Sequence, residues 1–452
     1  MEDSLTEIEN EILDQYANDE NPRPWIVAFS GGKDSTTALQ LVWKAVQRLE
    51  PELRKRQIHV VCNNTLVENP MILRYVKTQL ELIRNASIEQ SMPIIVQHTV
   101  PDLKNTFWVN LIGRGYPAPN SLFRWCTERL KIRPTTKYIQ DKISTFGEVI
   151  IILGSRNAES NTRAKSIKRY EVKGKRLRKH ILPGAYAYTP LKELTTQEVW
   201  FYLAGNESPW HSDHSDLVRI YRNASDNNDC PLITDVSMPA CGGSRFGCWV
   251  CTVVRSDKTM ANLIETGEHW MKPLLDFRNM LAKTINRDDP DYDSHKYRMP
   301  IRRNAKEGTG PYWPRWRKHI LEQLLITQKE LQEANQGIKL ITDQELVTIQ
   351  LLWDRDFISE YRVADIYDQV YGSATRFGMT STVSNRENEL LRDVCQENPV
   401  DYELINLLLK AQKNKILLIN KKGLQRDIEG ILEEHLSPRF TDVYRKDSNK
   451  QF

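Results

Sequence analysis

No stretch of this sequence approaches the ~18 consecutive apolar residues that a membrane helix requires. Met1 to Glu20 is acidic where a secretory leader would be basic and then apolar. The expectation is a cytosolic chain with no membrane contact. An excess of one charge is lacking too. Against 59 Asp and Glu stand 63 Lys and Arg, a formal net charge of +4, so composition alone argues for no nucleic-acid partner. Seven cysteines are an odd number. Without an export signal they read as thiols, metal ligands or catalytic groups and not as a disulfide framework. Internal repeats and low-complexity tracts are absent as well. What is present is a 452-residue chain with 40% hydrophobic and 27% charged residues. That mixture excludes disorder of the whole chain and suffices for two or three domains with sizeable cores.

After the acidic lead, Trp25-Ile26-Val27-Ala28-Phe29 reads as a short buried strand. Ala38, Leu39, Leu41, Val42, Ala45, Val46 and Leu49 then recur at helical spacing until Pro51 stops the run. Further strands are predicted at 58–62, 93–97 and 148–153, with a helix over 70–87. Alternating strands and amphipathic helices predict an α/β fold with an open parallel sheet, whose ligands gather at the carboxyl ends of the strands. The chain divides into an acidic segment (1–23), this α/β domain (24–205), a polar cysteine-bearing region (206–310) and a C-terminal region of helical periodicity (311–452). The helical region has the texture of a docking domain.

The first strand runs directly into Ser30-Gly31-Gly32-Lys33-Asp34-Ser35 and a helix comes next. Two glycines let the backbone turn sharply and bring successive amides to an anion, and the helix adds the positive end of its dipole. Ser30 and Ser35 supply hydroxyls and Lys33 a mobile charge. Asp34 either orients a magnesium ion or caps the helix. The Walker spacing of four residues between Gly and Gly-Lys is missing, so transfer of a terminal phosphate is not indicated.

This loop is similar to the PP-loop of the ATP pyrophosphatase superfamily, whose members cleave ATP between the α and β phosphates. Three further stretches resemble its phosphoadenylyl-sulfate reductase branch. They are Cys126 through Lys131 to Pro134, Gly154-Ser155-Arg156 through Glu159-Ser160 to Arg163, and Thr189-Pro190-Leu191 followed by Thr196 to Leu203. The resemblance implies an adenine nucleotide alpha hydrolase-like sheet. It also implies an ATP site at Ser30, Gly31, Gly32, Lys33, Asp34, Ser35, Gly154 and Arg156, with Lys33, Asp34 and Arg163 acting on the chemistry. Charge developing on departing pyrophosphate would be met by amides, Lys33, Arg156 and Arg163. Lys131 could reach an anionic substrate. Three departures separate the chain from sulfonucleotide reductases: Asn63-Asn64-Thr65 replaces the usual Asp-Thr-Gly, Cys126 stands without a paired cysteine, and Tyr444 to Phe452 holds no cysteine.

Cys230, Cys241, Cys248 and Cys251 place four soft ligands in one short span, with Gly242, Gly243 and Gly247 to permit tight wrapping. Such thiolate density suits an iron–sulfur cluster, zinc or, least favoured, unligated thiols. A PP-loop domain followed by this run resembles the sulfurtransferases of bacterial DNA phosphorothioation. That resemblance implies a 4Fe-4S cluster on the four cysteines and ATP hydrolysis to AMP and pyrophosphate with magnesium. Its implied partners are DNA, a cysteine desulfurase as sulfur donor and the other components of the phosphorothioation complex. A PP-loop tRNA thiolase and a non-catalytic nucleotide-sensing subunit are the rival readings. Cys126 reads either as a small hydrophobe or as a persulfide carrier, and His211 with His214 as a solvated loop pair or metal ligands. Nine of the seventeen residues from Arg163 to Lys179 are basic, a block that could draw a phosphate backbone toward the nucleotide. Arg302, Arg303, Lys306, Trp313, Arg315, Trp316, Arg317 and Lys318 form a second such group.

Overall fold

The computed structural model describes residues 2–372 apart from 19–20, 22, 160, 171–175, 224–246, 288–291, 304–305, 335, 357 and 359–360. Beyond 372 it describes 390–397, 401–405, 408–409 and 428. In chain order the elements are α1 (Glu2–Ala17), β1 (Trp25–Ala28), α2 (Lys33–Gln47), β2 (Ile58–Asn63), α3 (Pro70–Glu89), β3 (Ile94–Thr99) and α4 (Arg133–Phe146). Next come β4 (Val149–Ile152), α5 (Asn161–Tyr170), β5 (Arg178–Lys179), β6 (Ala185–Tyr188), α6 (Thr196–Gly205) and α7 (Ser215–Asn223). The rest comprises α8 (Lys258–Glu265), α9 (Lys272–Lys283), α10 (Ser294–Tyr297), β7 (Arg298–Arg303), β8 (Lys306–Tyr312), α11 (Pro314–Glu333), α12 (Asp343–Arg355) and α13 (Val363–Tyr371).

Six strands form one sheet in the order β3-β2-β1-β4-β6-β5. The pairs β3–β2, β2–β1, β1–β4 and β4–β6 are parallel, and β5 closes one edge antiparallel to β6. The fold is therefore the α/β class that the alternating pattern predicts. β-Branched runs such as Val149-Ile150-Ile151-Ile152 are buried along their length, as strands covered on both faces require. Strand order reverses between β1 and β4, so the crevice at their carboxyl ends is the topological switch point where such sheets take ligands.

The acidic lead is not a bare segment. It forms α1, because Leu5, Ile8, Ile12 and Tyr16 recur at helical spacing and bury one face against the sheet core. Tyr16 stacks edge-on against Trp25 at 5.3 Å and its hydroxyl donates to the Arg56 carbonyl at 2.8 Å. Helix α6 opens with a capping box in which Thr195 and Glu198 exchange hydrogen bonds.

By compactness the chain forms two units, one of residues 1–107, 118–292 and 331–338 and the other of 108–117, 293–330 and 339–452. The region after α6 thus folds with the sheet as far as residue 292. The second unit holds the β7–β8 hairpin and helices α12 and α13. Its core includes Trp353, whose indole donates to the Ile112 carbonyl at 3.0 Å. Among the described residues no helix is long and apolar enough to cross a membrane.

Candidate functional site

The loop after β1 turns on Gly31, whose φ of +74° lies in the left-handed region. A Cβ there would also fall 2.7 Å from Val76 Cγ2 and 3.3 Å from Tyr75. Gly32 caps α2 without contributing a side chain, so the helix N-terminus is left to outside acceptors. The two serines knit the loop. The Ser30 amide donates to Ser35 Oγ at 3.2 Å, the Gly32 amide to Ser30 Oγ at 3.4 Å, and Ser35 Oγ to the Gly32 carbonyl at 2.9 Å.

The loop after β4 meets this one at the switch point. Gly154 packs so closely that a Cβ would lie 2.7 Å from the Asp34 carbonyl oxygen. Arg156 is fully buried. Its Nε donates to Asp34 Oδ1 at 2.7 Å, its Nη1 to the Leu194 carbonyl at 3.1 Å, and its Nη2 to Thr196 Oγ1 at 3.3 Å. Its own amide donates to Glu159 Oε1 at 2.9 Å. Lys33 Nζ holds the other Asp34 oxygen at 2.8 Å. Arg156 therefore acts through Asp34, fixing the carboxylate between two cations, and does not reach into the crevice as a free phosphate donor. The backbone of Arg163 lies in α5, and its side chain lies outside the described residues.

A second grouping forms at the carboxyl end of β2, the strand beside β1. Thr65 Oγ1 donates to Glu68 Oε1 at 2.8 Å and lies 3.3 Å from Cys248 Sγ. Glu68 and Cys248 pair as an isolated antiparallel bridge, and the Trp249 amide donates to the Val67 carbonyl at 3.1 Å. The Cys251 amide donates to the Cys248 carbonyl at 3.0 Å, turning the two thiols of this pair about one tight bend. Arg278, itself buried, fixes the far side by donating to the Cys251 carbonyl at 3.0 Å. Asn63 donates to the Leu130 carbonyl at 3.0 Å and so ties in the segment carrying Cys126 and Lys131.

The electrostatics mark these groups as neighbours. Burial, reinforced by Glu68, pushes the Cys248 thiol up to about 12. Burial, reinforced by Cys251, raises Cys126. Burial pulls the Lys131 ammonium down, yet Cys248, Glu68, Cys126 and Cys251 outweigh it and hold Lys131 above its ordinary value. Sequence spacing carries no sign of Thr65, Glu68 or Cys126 beside the later cysteines, because the contact is made across the fold.

Cys230 and Cys241 lie outside the described residues. Among the described residues no three His, Cys, Asp or Glu side chains converge as metal ligands. The chemistry of the Cys248–Cys251 bend, two thiols on one anchored turn, suits part of a thiolate-held metal group. His214 is buried and hydrogen-bonds Gln40 at 2.6 Å, while His211 is exposed.

The basic side chains differ in exposure and in the partners shown for them. Lys165, Lys168 and Arg169 lie exposed on α5. Arg176 pairs with Asp14 and, at 3.8 Å, with Glu11. In the second unit Arg317 is buried, donating to the Tyr312 and Gly113 carbonyls at 3.1 and 3.2 Å and pairing with Asp356 at 3.3 Å. It is a structural arginine and not part of an open nucleic-acid surface.

Residues 24–254 match the phosphoadenosine phosphosulfate reductase domain family. The uncharacterized protein MJ0066 of Methanocaldococcus jannaschii is 26% identical over 216 residues, which cover 48% of this chain and 37% of that relative's length. The phosphoadenylyl-sulfate reductase of Candida auris, solved as a phosphate complex, is similar over 45% of this chain and 81% of its own, at 12% identity and a TM-score of 0.28. The FMN adenylyltransferase of Candida glabrata, solved with FMN and an ATP analogue, is similar over 45% and 58%, at 13% identity and a TM-score of 0.27.

Proposed function

The chain belongs to the phosphoadenosine phosphosulfate reductase domain family, and from that premise we propose that it is an ATP-dependent sulfurtransferase of DNA phosphorothioation, the component known as DndC. The observation that carries this reading is the adjacency of two groupings at the carboxyl ends of neighbouring strands. The phosphate loop opens from β1 and β4, and the Cys126, Lys131, Glu68, Cys248 and Cys251 grouping opens from β2 alongside. An activated phosphate and a sulfur-handling group would thus face the same crevice.

In this reading the amides of the loop and Lys33 bind the β and γ phosphates of ATP. Asp34, fixed by Arg156 and Lys33, would hold a magnesium ion, which would offset phosphate charge. A non-bridging oxygen of the DNA backbone attacks the α phosphorus, and pyrophosphate leaves toward the α2 N-terminus. A persulfide sulfur from a cysteine desulfurase then attacks the DNA phosphorus. AMP departs with the displaced oxygen, and a thiol reductant cleaves the sulfur–sulfur bond that remains. Lys131 would meet the anionic backbone, and the basic residues of α5 would guide the DNA. Cys230, Cys241, Cys248 and Cys251 would hold a 4Fe-4S cluster, which supplies electron-transfer or sulfide-handling chemistry beside the crevice. The other components of the phosphorothioation complex are its proposed partners.

Mass spectrometry of nuclease-digested DNA and tRNA, from cells with and without this chain, tests the reading. Phosphorothioate-linked dinucleotides that vanish with the chain are the expected result. Loss of thiolated tRNA nucleosides instead would make it a tRNA thiolase, and no change in either would leave a nucleotide-sensing subunit.

A further inference from the structure

The phosphate loop is engaged by a residue from outside it, a contact whose meaning rests on the proposed binding of a nucleotide there. The amide of Lys33, the first of α2, is a donor that an incoming phosphate would take. It donates to the hydroxyl of Tyr221 at 3.3 Å. Lys33 Nζ lies 5.3 Å from the centroid of the same ring. Trp200 backs that ring edge-on, with centroids 5.0 Å apart and planes at 87°. A phosphate oxygen bound to this amide would occupy the space of the phenolic oxygen, so one must leave before the other arrives.

Helix α7, which carries Tyr221 near its carboxyl end, is anchored at the opposite end. Leu217 is fully buried, and His214, just ahead of the helix, hydrogen-bonds Gln40 at 2.6 Å. Asp216, Arg219 and Ile220 line a cavity of about 330 Å³ shared with α3 and α8. On that side α7 borders open space, while Leu217 and Tyr221, one turn apart on another face, pack against the sheet core.

We infer that Tyr221 is a latch on the phosphate loop: its hydroxyl holds the place of a phosphate oxygen, and phosphate binding releases it together with the last turn of α7. The residue thereby sets nucleotide affinity, because each binding event must first break the contact with the Lys33 amide. The probe is inorganic pyrophosphate added to the full chain. Hydrogen–deuterium exchange over Ser215–Asn223 is expected to rise on saturation. Tyr221→Phe keeps the ring and removes the competing oxygen, so it is expected to bind pyrophosphate about three- to tenfold more tightly, the factor of one neutral hydrogen bond. Binding with unchanged or slower exchange over α7 overturns the latch, as does unchanged or weaker binding by Tyr221→Phe, and either result leaves the phosphate site standing. Absence of pyrophosphate binding by both proteins overturns the latch and the nucleotide site together.

Discussion

Gly154→Ala probes how tightly the end of β4 sets the phosphate loop. The added Cβ would lie 2.7 Å from the Asp34 carbonyl oxygen, 2.8 Å from its carbon and 3.1 Å from the Ser35 amide nitrogen. All three are backbone atoms in the first turn of α2, so none can rotate aside as a side chain would. Ordinary contact starts at 3.4 Å, so the two loops must part by roughly 0.7 Å. Overpacking of this kind costs about 1–3 kcal/mol. Displacements approaching 1 Å at a site can lower rates by about a hundredfold. The expected outcome is a lower urea midpoint together with a loss of about tenfold or more in ATP-dependent AMP formation. Gly147→Ala is the control. Gly147 has φ +82° with nothing within 4 Å of an added Cβ, so alanine there brings left-handed strain of roughly 1–2 kcal/mol without touching the loop. It should lower stability and spare AMP formation. If Gly154→Ala only reproduces this control, or if its turnover matches the wild type, the strand end does not position the loop and the reasoning is wrong.

Arg156→Met removes one partner of a buried ion pair and should destabilise by about 3 kcal/mol, the low end of the usual range because Lys33 still holds the other Asp34 oxygen. Urea titration reads the loss, and a shift below about 1 kcal/mol would show that Asp34 and Lys33 suffice. Acid should destabilise the sheet through His59, which burial, with Lys142 nearby, pulls from 6.5 to about 4. The folded state keeps this ring neutral, hydrogen-bonded to the Tyr138 hydroxyl at 2.9 Å, while the unfolded chain protonates it. Its contribution is therefore complete above pH 6.5 and declines as pH falls toward 4, by roughly 3 kcal/mol at most. A His59→Gln chain should show a flatter stability profile in that window, and an identical profile would remove His59 as the cause. Cys248→Ser, purified anaerobically after iron and sulfide loading, should lose most of the visible charge-transfer absorption that the four-cysteine protein develops. Retention of that absorption would take Cys248 out of the ligand set.

The phosphate loop and the sheet were legible because both are local. A buried strand, a glycine turn and an amphipathic helix succeed one another from Trp25 to Gln47, and no distant residue is needed to see them. The partner of Arg156 was not legible. Its sequence neighbourhood says nothing of Asp34, which reaches it only when β1 and β4 pair. The grouping of Cys126 with Cys248 and Cys251 had no signature in spacing for the same reason, since the sheet alone brings the segments after β2 and before α4 together. Tyr221 carries no signature in the sequence, because only the fold brings its hydroxyl to the Lys33 amide. Helix α1 was hidden by its charge. Its acidic residues dominate the composition, while the periodic Leu5, Ile8, Ile12 and Tyr16 carry the structural message.

That first helix separates two boundaries usually treated as one. The family resemblance begins at residue 24, yet the folding unit includes α1, which seals one side of the core. Ile12 and Tyr16 are almost completely buried there, and Tyr188 donates to Glu11 at 3.1 Å. An expression clone trimmed to the family's first matched residue would uncover Trp25 and forfeit roughly 3–6 kcal/mol of apolar burial from those two side chains. Sticky, poorly soluble material from such a clone would reflect the missing helix and say nothing about the chemistry of the loop.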